Sequence, residues 1–130
     1  MQTIGLGTST VVEIISVYAA SNQVVPAVAD PPAWRVVGAF YMPATAPVKL
    51  EVIGAVTVAG IEMTMRIFDV TAAAPVSGST TPVIDGIVDE RQISGAFELP
   101  GGKIYQMQAQ VIGPDPDTKG FIRSATLIGG

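Results

Sequence analysis

Apolar and polar side chains alternate along the chain in short runs that proline and glycine interrupt. A period of two marks strands lying between a core and solvent, whereas helices repeat every 3.6 residues. Eight extended segments follow from this pattern: 11–18, 33–42, 48–58, 61–71, 83–88, 91–99, 103–112 and 121–128. The alternation is cleanest in the fourth, where Ile61, Met63, Met65 and Ile67 share one face and Glu62, Thr64 and Arg66 the other. In the sixth, Ile93, Phe97 and Leu99 are expected on one face. In the seventh, Tyr105, Met107, Ala109 and Val111 share a face, with Gln106, Gln108 and Gln110 opposite beside Ile104. Pro31 and Pro32 exclude helix before the second segment. Pro100-Gly101-Gly102 reads as a hairpin turn, because glycine takes positive φ at no steric cost. With a second turn at 113–120, residues 91–128 are expected to form a three-stranded antiparallel meander. The fold class expected is all-β: an antiparallel β-sandwich, jelly-roll-like, of about eight strands. At 130 residues this is a single domain, taken as 11–130, preceded by a small, polar arm over 1–10.

Composition sharpens the strand reading. Val and Ile together number 30 against 4 Leu, and 11 Thr bring β-branched residues to nearly a third of the chain. Such side chains lose χ1 freedom in a helix and sit well on a pleated sheet. Only 14% of residues are charged, where an average soluble domain has about 25%. Net charge is -4, with three Lys and four Arg, a poor balance for tracking nucleic-acid phosphates. The uncharged run 14–29 is interrupted by Asn22, Gln23 and Pro26, and a membrane span needs about 20 mainly apolar residues. No Lys or Arg precedes the apolar start of the chain, as a secretion signal requires. The expectation is a soluble protein made in the cytoplasm, without membrane or nucleic-acid partners.

The residues name no reaction. With no Cys and no His, disulfides, thiol nucleophiles, Cys/His zinc sites and imidazole-based triads are excluded. Gly5-Leu6-Gly7 is the single Gly-x-Gly and precedes a strand, not a helix that would cradle phosphates. Neither Gly-x-Ser-x-Gly nor Ser-x-x-Lys occurs. The expectation is therefore a protein without enzymatic activity or cofactor. Asp85, Asp89 and Glu90 read as solvated turn residues. Asp115-x-Asp117 has the opening of a calcium loop, but the later acidic ligands are missing and Lys119 intrudes. Pro114 and Pro116 make it a stiff hairpin tip instead, so no metal site is expected. Trp34, Tyr18, Tyr41 and Tyr105 suit core or interface packing better than a sugar platform, and Met63 and Met65 are core filler. Three amides on one strand face are neither core nor ordinary charged surface; they suit hydrogen bonding across an interface or to a glycan, or equally a plain solvated sheet face. Trp34, Tyr41, Gln106, Gln108 and Gln110 are thus the candidate interaction surface.

Mean hydropathy is +0.48 in a 13.4 kDa chain, and a domain of this size hides only about two-thirds of its unfolded surface. Apolar residues must remain outside, and such patches on small proteins bind something. The arm over 1–10, the strand-rich body and the run Phe97-Glu98-Leu99-Pro100-Gly101-Gly102-Lys103 resemble, in composition and pattern, the small auxiliary virion proteins of tailed bacteriophages. These are capsid decoration proteins, head-fibre bases and related β-sandwich modules. The resemblance implies a structural virion protein that self-assembles, with a trimer favoured, and binds a major capsid or other virion protein. It implies location in the virion after synthesis in the host cytoplasm. The arm over 1–10 is expected to order only against a neighbour, because its Gly, Thr and Ser content cannot hold it to its own core. A carbohydrate-binding or adhesion module is the alternative. A cupin-like enzyme is disfavoured, since those sites present His-rich metal clusters.

Overall fold

Two sheets take up the alternating segments, and every strand pairing within them is antiparallel. The computed structural model describes residues 20–27, 33–113 and 117–129; the strand expected at 11–18 with Tyr18, the arm over 1–10 and Asp115 lie outside the described residues. The strands are β1 (Ala20–Pro26), β2 (Arg35–Met42), β3 (Ala46–Val56), β4 (Glu62–Asp69), β5 (Ala74–Pro75), β6 (Glu90–Ile93), β7 (Phe97–Leu99), β8 (Lys103–Ile112) and β9 (Lys119–Gly129). The first sheet runs β1-β9-β3-β6, with β7 also pairing β3, and the second runs β2-β8-β4-β5. Among the described residues no helix occurs.

The inner faces meet in one core. The first sheet contributes Val48, Leu50, Val52, Ile122 and Leu127, and the second Met63, Met65, Ile67, Tyr105 and Met107, all buried. The alternation read from 61–67 and 103–111 is thus the division between core and outside. Phe40 stacks on Tyr105 with ring centroids 5.7 Å apart. The Tyr105 hydroxyl donates to the Pro100 carbonyl at 2.6 Å, so its one polar atom is answered where the chain leaves β7 for β8.

Four expectations are corrected. Residues 20–26, read as an interrupted apolar run, form β1, because pairing with β9 from Ala20↔Ala125 to Pro26↔Lys119 overrides weak local propensity at an edge where proline is tolerated. The strand expected at 83–88 reduces to one bridge, Ile84 to Met63. The edge of β4 is closed instead by the folded segment before it. Ser79 and Thr81 are buried, and their hydroxyls accept the backbone N–H groups of Ile67 and Met65 at 3.0 Å each. Side-chain oxygens thereby stand in for a neighbouring strand. The single strand expected at 91–99 splits at Ser94, whose Oγ accepts the Leu50 N–H at 2.9 Å. The break leaves Ile93 on the outward side, opposite Glu51, while Phe97 and Leu99 enter the core.

The fourth correction is topological. β7, β8 and β9 do not form a meander: β7 and β9 lie in the first sheet and β8 in the second. Pro100-Gly101-Gly102 is a passage between sheets. Its glycines are still required, since Gly102 has φ +76 and a Cβ on Gly101 would fall 2.4 Å from the Ala44 backbone. Crossing between sheets at this point makes β8 the strand between β2 and β4, with its outward side chains flanked on both sides.

Candidate functional site

Because β8 is paired on both sides, its outward amides have fixed neighbours. The register sets Arg66 of β4 and Val36 of β2 opposite Gln108, and Phe68 and Ala39 opposite Gln106. Gln108 is only 7% exposed although it points away from the core, which requires its amide to be hydrogen-bonded. It is: the Arg66 Nε–H donates to Gln108 Oε1 at 2.9 Å, and Gln108 Nε2 donates to Gln106 Oε1 at 3.1 Å. The Arg66 guanidinium lies 4.1 Å from the centre of the Trp34 ring and 5.7 Å from that of Phe68. A cation so placed is held by the negative faces of both π-systems. Burial draws the Arg66 pKa below its ordinary value, and a guanidinium remains charged regardless.

Arg66 therefore uses its Nε–H on Gln108 and its flat face on Trp34. Among the described residues its two terminal amino groups have no hydrogen-bond partner. Around this charge the sheet exposes apolar surface: Val36, Tyr41, Ile104 and Ile112 are each more than two-fifths accessible. Chemically the face offers a rigid, partly desolvated cation, a chain of amides and an apolar surround, which suits a partner presenting a carboxylate beside apolar groups. Off this face, at the end of the sheet on the core side of the pleat, Lys103 pairs with Asp69 at 3.0 Å, and the Ala72 N–H donates to Asp69 at 3.1 Å. The Ala72 hydrogen bond and Lys103 hold the Asp69 carboxyl below the usual carboxylate range, and Asp69 raises Lys103.

No family model matches the chain, and no curated protein matches it in sequence. Among solved structures it is similar to a chain of infectious bursal disease virus, Gx strain, with TM-score 0.55 and 11% identity, over 87% of this chain and 33% of the viral one. It is also similar to Eiger TNF from S. frugiperda, with TM-score 0.51 and 8% identity, over 87% and 90% of the two chains. The CBM36-1 domain of a multidomain xylanase from the hindgut metagenome of Trinervitermes trinervoides aligns at TM-score 0.45 and 12% identity, over 86% and 77%. The fold is a jelly-roll-like β-sandwich. At these identities the likeness is one of fold alone, and the chain spans about a third of the length of the viral chain it matches.

Of the five residues singled out from the sequence, the sandwich puts all on the outward side of its second sheet. Trp34, Gln106 and Gln108 join through Arg66. Tyr41 lies on the same side opposite Ile104, and Gln110 opposite Thr64, neither hydrogen-bonded to that network. Tyr105 leaves the aromatic set, since it is fully buried. The sequence reading missed Arg66 and Phe68. Their place on the polar side of β4 was legible, but only the register of β4 on β8 brings them to the amides. Asp89 pairs with Arg123 at 3.1 Å and Glu90 accepts the Asp85 N–H at 3.1 Å, so these carboxylates support a turn. The Asp117 carbonyl accepts from Lys119.

Proposed function

We propose that the protein is a structural virion component, a decoration or auxiliary protein of the tailed-bacteriophage kind. It self-associates, with a trimer favoured, and attaches to a major capsid or other virion protein, without catalysis or cofactor. It is made in the host cytoplasm and acts in the virion. The observation that carries this reading is the outward face of the second sheet: a cation held by Trp34, Phe68 and Gln108 with its terminal amino groups unanswered, amid exposed Val36, Tyr41 and Ile104. Organising a charge and leaving apolar groups around it is what a surface does when a partner completes it. A fold shared with part of a chain in a virus structure supports the reading at the level of architecture.

The test is native mass and small-angle scattering at micromolar to millimolar concentration. A lone 130-residue domain has a radius of gyration of about 14 Å. A mass that is a multiple of 13.4 kDa with a larger radius supports the proposal, and a persistent monomer that also ignores purified particles overturns it. A carbohydrate-binding or adhesion role is the second reading, favoured by half-exposed Tyr41 beside glutamine amides. Against it, Arg66 already covers one face of the Trp34 ring, where a sugar would stack. Glycan-array binding lost on Trp34→Ala or Tyr41→Ala would favour it.

A further inference from the structure

The two most exposed large apolar side chains among the described residues are neighbours: Ile87 at 63% and Val88 at 75%. They form the tip of the loop 85–90, which runs from Ile84, bridged to β4 of the second sheet, to the start of β6 in the first. The loop is held in shape at several points. The Gly60 N–H donates to the Asp85 carbonyl at 3.3 Å and the Val56 N–H to the Gly86 carbonyl at 2.9 Å. Asp85 N–H donates to Glu90 Oε1, and Arg123 clasps Asp89. Within 85–90 the chain carries three carboxylates and no cation. The Asp85 carboxylate has no partner among the described residues.

This tip is the chemical complement of the Arg66 face: apolar groups flanked by carboxylates against a guanidinium flanked by apolar groups. We propose that the outward face of the second sheet receives the 85–90 loop of a second copy, with Ile87 and Val88 against the apolar surround and a carboxylate on the terminal amino groups of Arg66. The proposal rests on the self-association reading and names the two surfaces that meet. A copy does not serve its own face, because its loop is hydrogen-bonded to the turn before β4 and to β3, while Trp34 lies across β8 at β2. Nor does the face pair with itself, since a symmetric contact centred on Arg66 would bring two uncompensated guanidinium groups together. Two unlike surfaces on each copy make a head-to-tail contact, which closes into a ring when the rotation between copies allows it.

Two variants decide the matter, because a head-to-tail contact can be complemented by mixing. Arg66→Glu disables the face and leaves the loop. Ile87→Asp with Val88→Asp disables the loop at two exposed positions and leaves the face and the core. Circular dichroism of each should match the parent chain. Alone, each is expected to weaken self-association at least tenfold by sedimentation velocity. Mixed in equal amounts, they should form a complex of two copies, one of each variant, because one intact face still meets one intact loop. A loop variant that assembles like the parent chain overturns the proposal while the self-association reading stands. Two monomeric variants that stay monomeric when mixed overturn it as well. A parent chain that is itself monomeric removes both the proposal and the reading beneath it.

Discussion

On the outward face of the first sheet, both arginines are answered by carboxylates within the chain. Arg91 pairs with Glu51 across β6 and β3, and Arg123 pairs with Asp89 while lying over Phe121 at 5.5 Å. The outward face of the second sheet is built on the same pleat and arranged otherwise. Its central cation is stacked and part-buried, and the hydrogen bonds around it go to neutral amides that leave the charge uncancelled. Exposed ion pairs satisfy a surface that faces water. A cation fixed by aromatic rings and amides, with apolar groups around it, has binding capacity left over. That contrast locates the interaction surface, and four perturbations test it.

The largest effect is expected in the first sheet. At the irregularity where β3 passes β9, a Cβ on Gly54 would lie 2.2 Å from the Phe121 carbonyl oxygen. Gly54→Ala should destabilise the fold by about 3 kcal/mol, read from urea unfolding. Trp34 is the single tryptophan, so its emission reports on the second face alone, and in the folded variant it should not change. A shift there would mean that the two faces are mechanically coupled.

Next is Gln108→Leu, which removes the acceptor of the Arg66 Nε–H in a desolvated place. The expected cost is about 1–3 kcal/mol, with a shift in Trp34 emission as the guanidinium leaves the ring. Unchanged emission would show that the stacking does not depend on the amide.

Third is Asp69, whose carboxyl the Ala72 N–H and Lys103 hold low while it holds Lys103 high. A lowered carboxyl stabilises the fold above its unfolded pKa of about 3.9 and ceases to as pH falls through the folded value. A raised lysine stabilises below about 10.4 and ceases to as pH rises through the folded value. The stability difference between the parent chain and Asp69→Asn should therefore be present near neutral pH and shrink at both extremes. A difference independent of pH would assign the effect to the turn instead of the charge.

The smallest effect is Glu51→Gln on the first face. Losing an exposed ion pair should cost less than about 1 kcal/mol, less still in high salt, and leave both Trp34 emission and association untouched. A larger loss would show that this face too is completed by a partner.

How much of this was legible can be followed through particular residues. The outward glutamines of β8 and the core methionines of β4 followed from period-two alternation alone, because strand geometry assigns alternate residues to opposite faces whatever the topology. The aromatic set was only partly legible. Trp34 and Tyr41 reached the outward face, while Tyr105 turned inward, since alternation placed it with Met107 and Pro100 supplied its hydroxyl with an acceptor. Illegible were the strand at 20–26 and the break at Ser94, because each is stabilised by a partner distant in sequence, β9 in one case and Leu50 in the other.

By itself, then, the sequence determined the all-β class, the division of each long strand into inner and outer residues, and the absence of Cys- and His-based chemistry. These depend on residue type and local spacing. Tertiary structure alone decided that Pro100-Gly101-Gly102 changes sheets, that Ser79 and Thr81 close the edge of β4, and that Arg66 lies between Trp34 and Gln108. The physical reason is common to all three. Each depends on the register of segments far apart in the chain, which is set by how well the whole core packs and not by the preference of any short stretch.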